Sequence, residues 1–137
     1  MGTLTFVLML LAAGPFARTA PARIVDVPLA QPFELKIGEQ VAIAGEGLDI
    51  GFAEILNDSR CPRDVQCVWA GSATVSVWVE KKPGARKTLT LRVPNADEPA
   101  TYGRYSVSLK DVKPYPESNR RPQRDDYVAT LVVTRIE

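Results

Sequence analysis

From Phe33 onward, apolar and polar residues alternate with period two. Phe33, Leu35 and Ile37 alternate with Glu34 and Lys36, and Val41 and Ile43 follow the turn residues Gly38-Glu39. Leu48, Ile50 and Phe52 form the next run. Ala73, Val75, Val77 and Val79 alternate with Thr74, Ser76, Trp78 and Glu80. Leu89, Leu91 and Val93, then Tyr105, Val107 and Leu109, repeat the pattern, and "YVATLVVTRI" closes the chain with a β-rich segment. Alternation of this kind marks strands with one face in a core and the other in water. No stretch sustains apolar residues at helical spacing. Residues 48–57 come closest, because Phe52, Ile55 and Leu56 break the period of two, and a β-bulge or strand end accounts for the break.

Turn residues separate the runs: Gly38, Gly45, Gly47, "KKPGAR" at 81–86, "PNADEP" at 94–99 and "PYPESNRRPQRDD" at 114–126. The pattern predicts an all-β fold, an antiparallel β-sandwich of about seven to eight strands, with barrel-like closure as a variant. Its predicted core takes Phe33, Val41, Ile50, Val75, Leu91, Val107 and Leu131 from successive runs. The loop after Lys113 is long for a connection in such a fold and reads as a solvated crossover between sheets.

The amino-terminal residues break the pattern. Leu4 to Ala13 are an apolar run of signal-peptide length, too short to span a bilayer as a helix, and Ala20-Pro21-Ala22 supplies an Ala-x-Ala cleavage site. The expected organisation is a signal peptide over 1–22 and a single domain over 23–137. No Lys or Arg precedes the apolar run, and no cysteine near the cleavage sites offers a lipid-attachment point. The expected location is the periplasm or the exterior, without a membrane span.

Charge and composition narrow the function. Lys and Arg number 17 against 16 Asp and Glu, which gives no overall footprint for nucleic acid or anionic membrane. The chain contains no histidine, so the usual general base, triad member and zinc ligand are missing. Asp58, Asp64, Asp125 and Asp126 are the carboxylates available for a glycosidase-like pair, but each sits where aspartate serves a turn. Ser59, Ser72, Ser76, Ser106, Ser108 and Ser118 have no histidine to activate them, and no spacing points to a serine–lysine pair. The reading is a non-catalytic domain without a cofactor. The alternative is a carboxylate-based enzyme or a calcium-dependent module, with Asp58, Glu117, Asp125 and Asp126 as oxygen donors.

Both cysteines lie in "DSRCPRDVQCVWAG" at 58–71. Their spacing suits neither structural zinc nor a Cys-x-x-Cys redox helix. In an exported protein, Cys61 and Cys67 read as a disulfide, with Cys61 ending one strand region and Cys67 opening the next. The staple would shape residues 62–66, either as a plain corner or as a pre-organised recognition loop for a protein or small-molecule partner. Arg60, Arg63, Asp64 and Trp69 are the candidate binding residues. Arg63 in a closed loop also raises a protease-inhibitor reading, with the acid Asp64 counting against it. Trp69 is expected to pack on the disulfide, with an exposed anchor as the other option. Trp78 lies on the opposite face from Val77 and Val79, where a long loop can cover it.

"DSRCP", four residues, then "CVWAG" before an alternating strand resembles a family of small exported bacterial proteins and lipoproteins of uncharacterised function. The likeness continues through "YSVSLKDVKPYP" and the terminal strand. It implies a compact β domain outside the cytoplasm and no particular activity. The chain departs from the lipoprotein members in lacking their lipid-attachment cysteine.

Export sets a first expectation. The intact mass of the natively produced protein should start near Arg23, and a functional cytosolic form that keeps Met1 would contradict it.

Overall fold

A computed structural model describes Gly2, residues 24–94 and residues 99–137. The expected leader and its cleavage sites lie outside the described residues, as do Asn95 to Glu98 of the 94–99 turn. Two sheets face each other across one core. The first runs in the order β1 (Val25–Val27), β3 (Gln40–Ile43), β4 (Leu48–Asp58), β5 (Ala73–Lys81) and β6 (Lys87–Val93). The second runs β2 (Phe33–Lys36), β9 (Val128–Arg135), β8 (Tyr105–Lys113) and β7 (Ala100–Tyr102). Among the described residues the two sheets do not close into a barrel.

The alternation maps directly onto burial. Val75, Val77 and Val79 of β5 and Val107, Leu131 and Val133 of the other sheet are all buried in one core. All seven residues expected in the core are there, joined by Phe52, Leu48 and Val112. Each such side chain contributes about 1.5–3 kcal/mol of apolar burial. Two strands, the three-residue β1 and β7, carry no alternation signal in the sequence. Nor is the sandwich wholly antiparallel. The chain leaves β1, crosses to the other sheet for β2 and returns for β3, so β1 pairs with β3 in parallel.

Two bulges in β4 reset which of its residues face inward. Register shifts between Phe52 and Glu54, and between Ile55 and Asn57, leave Ala53 and Leu56 as extra residues against β5. Residues directly opposite in a ladder share a face. Ile55 therefore points inward with Val75, and Asp58 points inward with Ala73, both partners being fully buried. Without the second bulge, Asn57 would take that place. A third shift in β8, between Leu109 and Asp111, returns Val112 to the core.

Trp78 lies on the outer face over Gly51, where a Cβ would meet the indole at 2.3 Å. Its cover is Arg86, 3.7 Å from the ring centroid and paired with Glu80 at 3.1 Å, and not a long loop as expected.

Leu131→Ala should cost about 2–5 kcal/mol in urea unfolding, because Leu131 is fully buried between the sheets. Leu56→Ala, at an exposed bulge position, should stay within about 0.5 kcal/mol. Equal effects would contradict the inward and outward assignment.

Candidate functional site

Two long connections meet at one end of the sandwich: residues 59–72 between β4 and β5, and residues 114–127 between β8 and β9. Asp58 turns inward, and two residues later the side chain of Arg60 is buried between these connections. Arg60 Nε and Nη2 donate to Asp58 Oδ1 and Oδ2 at 2.8 and 2.9 Å. Nη1 donates to Val112 O at 2.5 Å and Nη2 to Pro114 O at 2.9 Å, both belonging to the opposite sheet and its exit. Tyr127, just before β9, donates its hydroxyl to Asp58 Oδ2 at 2.9 Å. The Tyr115 ring lies 4.5 Å from the guanidinium carbon. One carboxylate and one guanidinium thus tie the first sheet to the second, and no buried side-chain nitrogen or oxygen among the described residues lacks a partner.

Burial pushes the Asp58 carboxyl up. Hydrogen bonds from Arg60 and Tyr127, with the guanidinium charge, outweigh that and hold it below the ordinary aspartate range. The Tyr127 phenol is pushed up to about 12, first by burial and then by donating to the Asp58 carboxylate. Both shifts favour the charge state that the clamp requires.

Beyond the clamp the chain makes a stapled loop. Cys61 and Cys67 form a disulfide with Cα atoms 5.8 Å apart. The base of the loop continues the β4–β5 ladder, with Ser59 N–H donating to Ser72 O at 2.8 Å and Cys61 N–H to Ala70 O at 3.0 Å. Gly71 makes this approach possible. Its φ is +67°, and a Cβ there would fall 1.8 Å from Ser59 O. The near arm of the loop is docked on the second connection. Arg63 N–H donates to Pro116 O at 3.0 Å, and Asp64 accepts from the Ser118 N–H at 2.8 Å and from its hydroxyl. Those donors hold the exposed Asp64 carboxyl below its usual range.

Several expectations need correction. Arg60 is not a surface binding residue: it is only 5% exposed and serves the clamp. Asp58 ends a strand instead of opening a turn. Cys67 does not open the next strand, which starts at Ala73. Trp69 does not pack on the disulfide. It stands 82% exposed beside Val68 at 92%, because the ladder at 59–72 carries the loop outward past the core. Arg63 is exposed, but its amide is bonded and its guanidinium leans over Tyr115 at 5.4 Å, so it lacks the free extended backbone that an inhibitor loop presents to a protease. The loop after Lys113 is not a plain solvated crossover, since it carries Tyr115, Pro116 and Ser118 to the stapled loop.

The acidic residues do not converge. Asp58 is saturated by Arg60 and Tyr127. Asp126 accepts from Gln123 N–H at 2.9 Å, and Asp125 lies 3.4 Å from Arg124. Among the described residues, no three His, Cys, Asp or Glu side chains gather as a metal site would need. An open cleft of about 860 Å³ lies between the outer part of β4 and the second connection, walled by Leu56, Pro62, Pro116, Arg121 and Tyr127. Its floor is the clamp.

Sequence reasoning passes over Tyr115, Tyr127, Val68 and Gly71. Val68 has a signal, as half of an apolar pair inside an otherwise polar loop. The two tyrosines are distant in sequence from Asp58 and carry no local signal. Compared with known protein families, curated proteins and solved structures, the chain has no match.

Breaking the clamp should be costly. Asp58→Ala should lower stability by about 3–5 kcal/mol, since it strands a buried guanidinium. Because the folded carboxyl titrates below its unfolded value of about 3.9, its contribution is complete above that value and is lost as the pH falls through the folded one. Acid titrations of urea midpoints should therefore show a smaller loss below pH about 4 in Asp58→Asn than in the wild type. Parallel curves would remove the carboxylate from this role. Replacing Cys61 and Cys67 together by serine should cost only roughly 2 kcal/mol and keep the β-sheet circular dichroism.

Proposed function

We propose that this is an exported, non-catalytic binding domain whose stapled loop is its recognition surface. The observation that carries the reading is the pair Val68 and Trp69, 92% and 82% exposed at the end of a loop that is otherwise tied down. The fold gains nothing from them there, and an exposed tryptophan on a pre-organised support is the usual make-up of an interface anchor. Arg63 and Asp64 lie on the other arm of the loop, with Asp64 holding it to Ser118 and Arg63 exposed over Tyr115. A convex apolar knob of this size fits a concave pocket on a partner protein.

The location outside the cytoplasm is supported by the apolar run Leu4 to Ala13, by the disulfide, and by the resemblance of the cysteine motif to exported proteins. The absence of histidine and the commitment of Asp58 to Arg60 support binding over catalysis.

A photo-crosslinking residue at position 68 of the natively exported protein should capture one specific partner. The same residue at position 104, in the β7–β8 turn at the far end, should not. Trp69→Ala should weaken that capture about tenfold or more at unchanged melting temperature, while Arg63→Ala should have the smaller effect. Capture that is equal from both ends, or indifferent to Trp69, would defeat the reading.

A further inference from the structure

The hydrogen bonds of the stapled loop are unevenly distributed. Its first arm is held by Arg63 N–H to Pro116 O, by Asp64 to Ser118, and by Val65 N–H to Pro62 O at 3.3 Å. Its base is held at Ser59–Ser72 and Cys61–Ala70. Between these anchors, Gln66, Cys67, Val68 and Trp69 make no hydrogen bond among the described residues, and every residue from Arg63 to Ala70 is exposed. The covalent bond at Cys67 is what fixes the knob. The sandwich does not depend on it, because the Asp58–Arg60–Tyr127 clamp and the two ladders lie outside the loop.

We infer that the Cys61–Cys67 bond is a thiol–disulfide exchange site, open to a dithiol in the folded protein, and that reducing it releases the Val68–Trp69 knob while the sandwich stays intact. That the release matters for binding rests on the recognition reading above; the exchange itself rests only on the loop geometry. Cys67 is exposed and Cys61 only partly so, which directs attack to Cys67. A thiolate of the dithiol attacks Cys67 Sγ, the protein S–S bond breaks, and Cys61 leaves as a thiolate and takes up a proton. The second thiol of the reductant then attacks the mixed disulfide and frees Cys67, which is protonated in turn. Two electrons and two protons pass to the protein, and the dithiol becomes a disulfide. In the oxidised protein Pro62 O lies 3.5 Å from Cys61 Sγ, an acceptor at hand for the S–H once the bond opens.

The test uses dithiothreitol on the mature oxidised protein, with free thiols counted by alkylation and mass, NMR order parameters read for the loop and amide hydrogen exchange for the strands. The reduction rate should rise in proportion to dithiol and stay flat, within about twofold, as urea is raised below the unfolding transition. In the reduced protein the backbone amide order parameters of 66–69 should fall below about 0.6, while the amides of β4, β5, β8 and β9 keep their exchange protection. A rate that climbs with urea, or a reduced chain without sheet signal, overturns the exchange site whatever the binding result. The double serine variant, which needs no reductant, should reproduce the low order parameters of 66–69; a knob as ordered as in the oxidised protein would overturn the inference. Position-68 crosslinking on both redox forms separates the two readings. Loss on reduction supports both, and equal capture overturns the gating. Native-state exchange with no partner captured by either form removes the recognition reading and leaves the exchange site standing.

Discussion

The guanidinium of Arg60 spans the open end of the sandwich, and the candidate site depends on where it goes. It leaves the first sheet beside Asp58, crosses the core boundary and ends on the carbonyls of Val112 and Pro114. A β-sandwich has no inherent closure at its ends, where ladders stop and backbone groups and apolar side chains face water. A planar cation with several fixed donors suits that gap, because it bonds a carboxylate on one side and carbonyls on the other at once. With Tyr127 completing the coordination of Asp58, the seal is polar yet saturated, which is the condition under which a buried charge pair is tolerated.

The far end is closed by the same chemistry in a looser form. The Tyr105 hydroxyl donates to Glu46 at 2.6 Å and accepts from Lys81 Nζ at 2.9 Å, and Arg135 pairs with Glu46. Hydrogen bonds from Arg135 and Tyr105 hold the Glu46 carboxyl below its usual range. That seal is more exposed and carries short turns. The Arg60 end carries the two long connections, and so it is where the chain has length to spare for a projecting surface.

The clamp and the staple divide their work. The clamp joins sheets that are distant in sequence and bears on the whole fold. The disulfide closes a short loop and so constrains the unfolded chain only modestly. Its effect is local: it holds Val68 and Trp69 out from the body of the protein, where an apolar pair costs solubility and gives the core nothing. Gly71 belongs to the same device, because only a residue without a Cβ lets the returning strand close on Ser59.

Much of the fold was legible in the chain. Period-two alternation depends only on local geometry, so the strands carrying Phe33, Ile50, Val75, Leu91, Val107 and Leu131 and their inward faces follow from the sequence, as does the irregularity in 48–57. The disulfide could also be read, from two cysteines close together and from the leader-like start. The short strands β1 and β7 could not, since three residues carry no period and pair only because longer neighbours offer an edge. The roles of the motif residues were likewise decided by tertiary structure. Arg60 looks like a surface arginine until two bulges turn Asp58 inward and the opposite sheet brings Val112, Pro114 and Tyr127 within reach. Trp69 looks like core until the extended ladder carries it past the end of the sheet. Sequence alone determined which residues alternate, pair as cysteines and break the strands, because those properties are local. Only the tertiary structure decided which polar residue is buried and which aromatic is exposed, because burial depends on neighbours from distant parts of the chain.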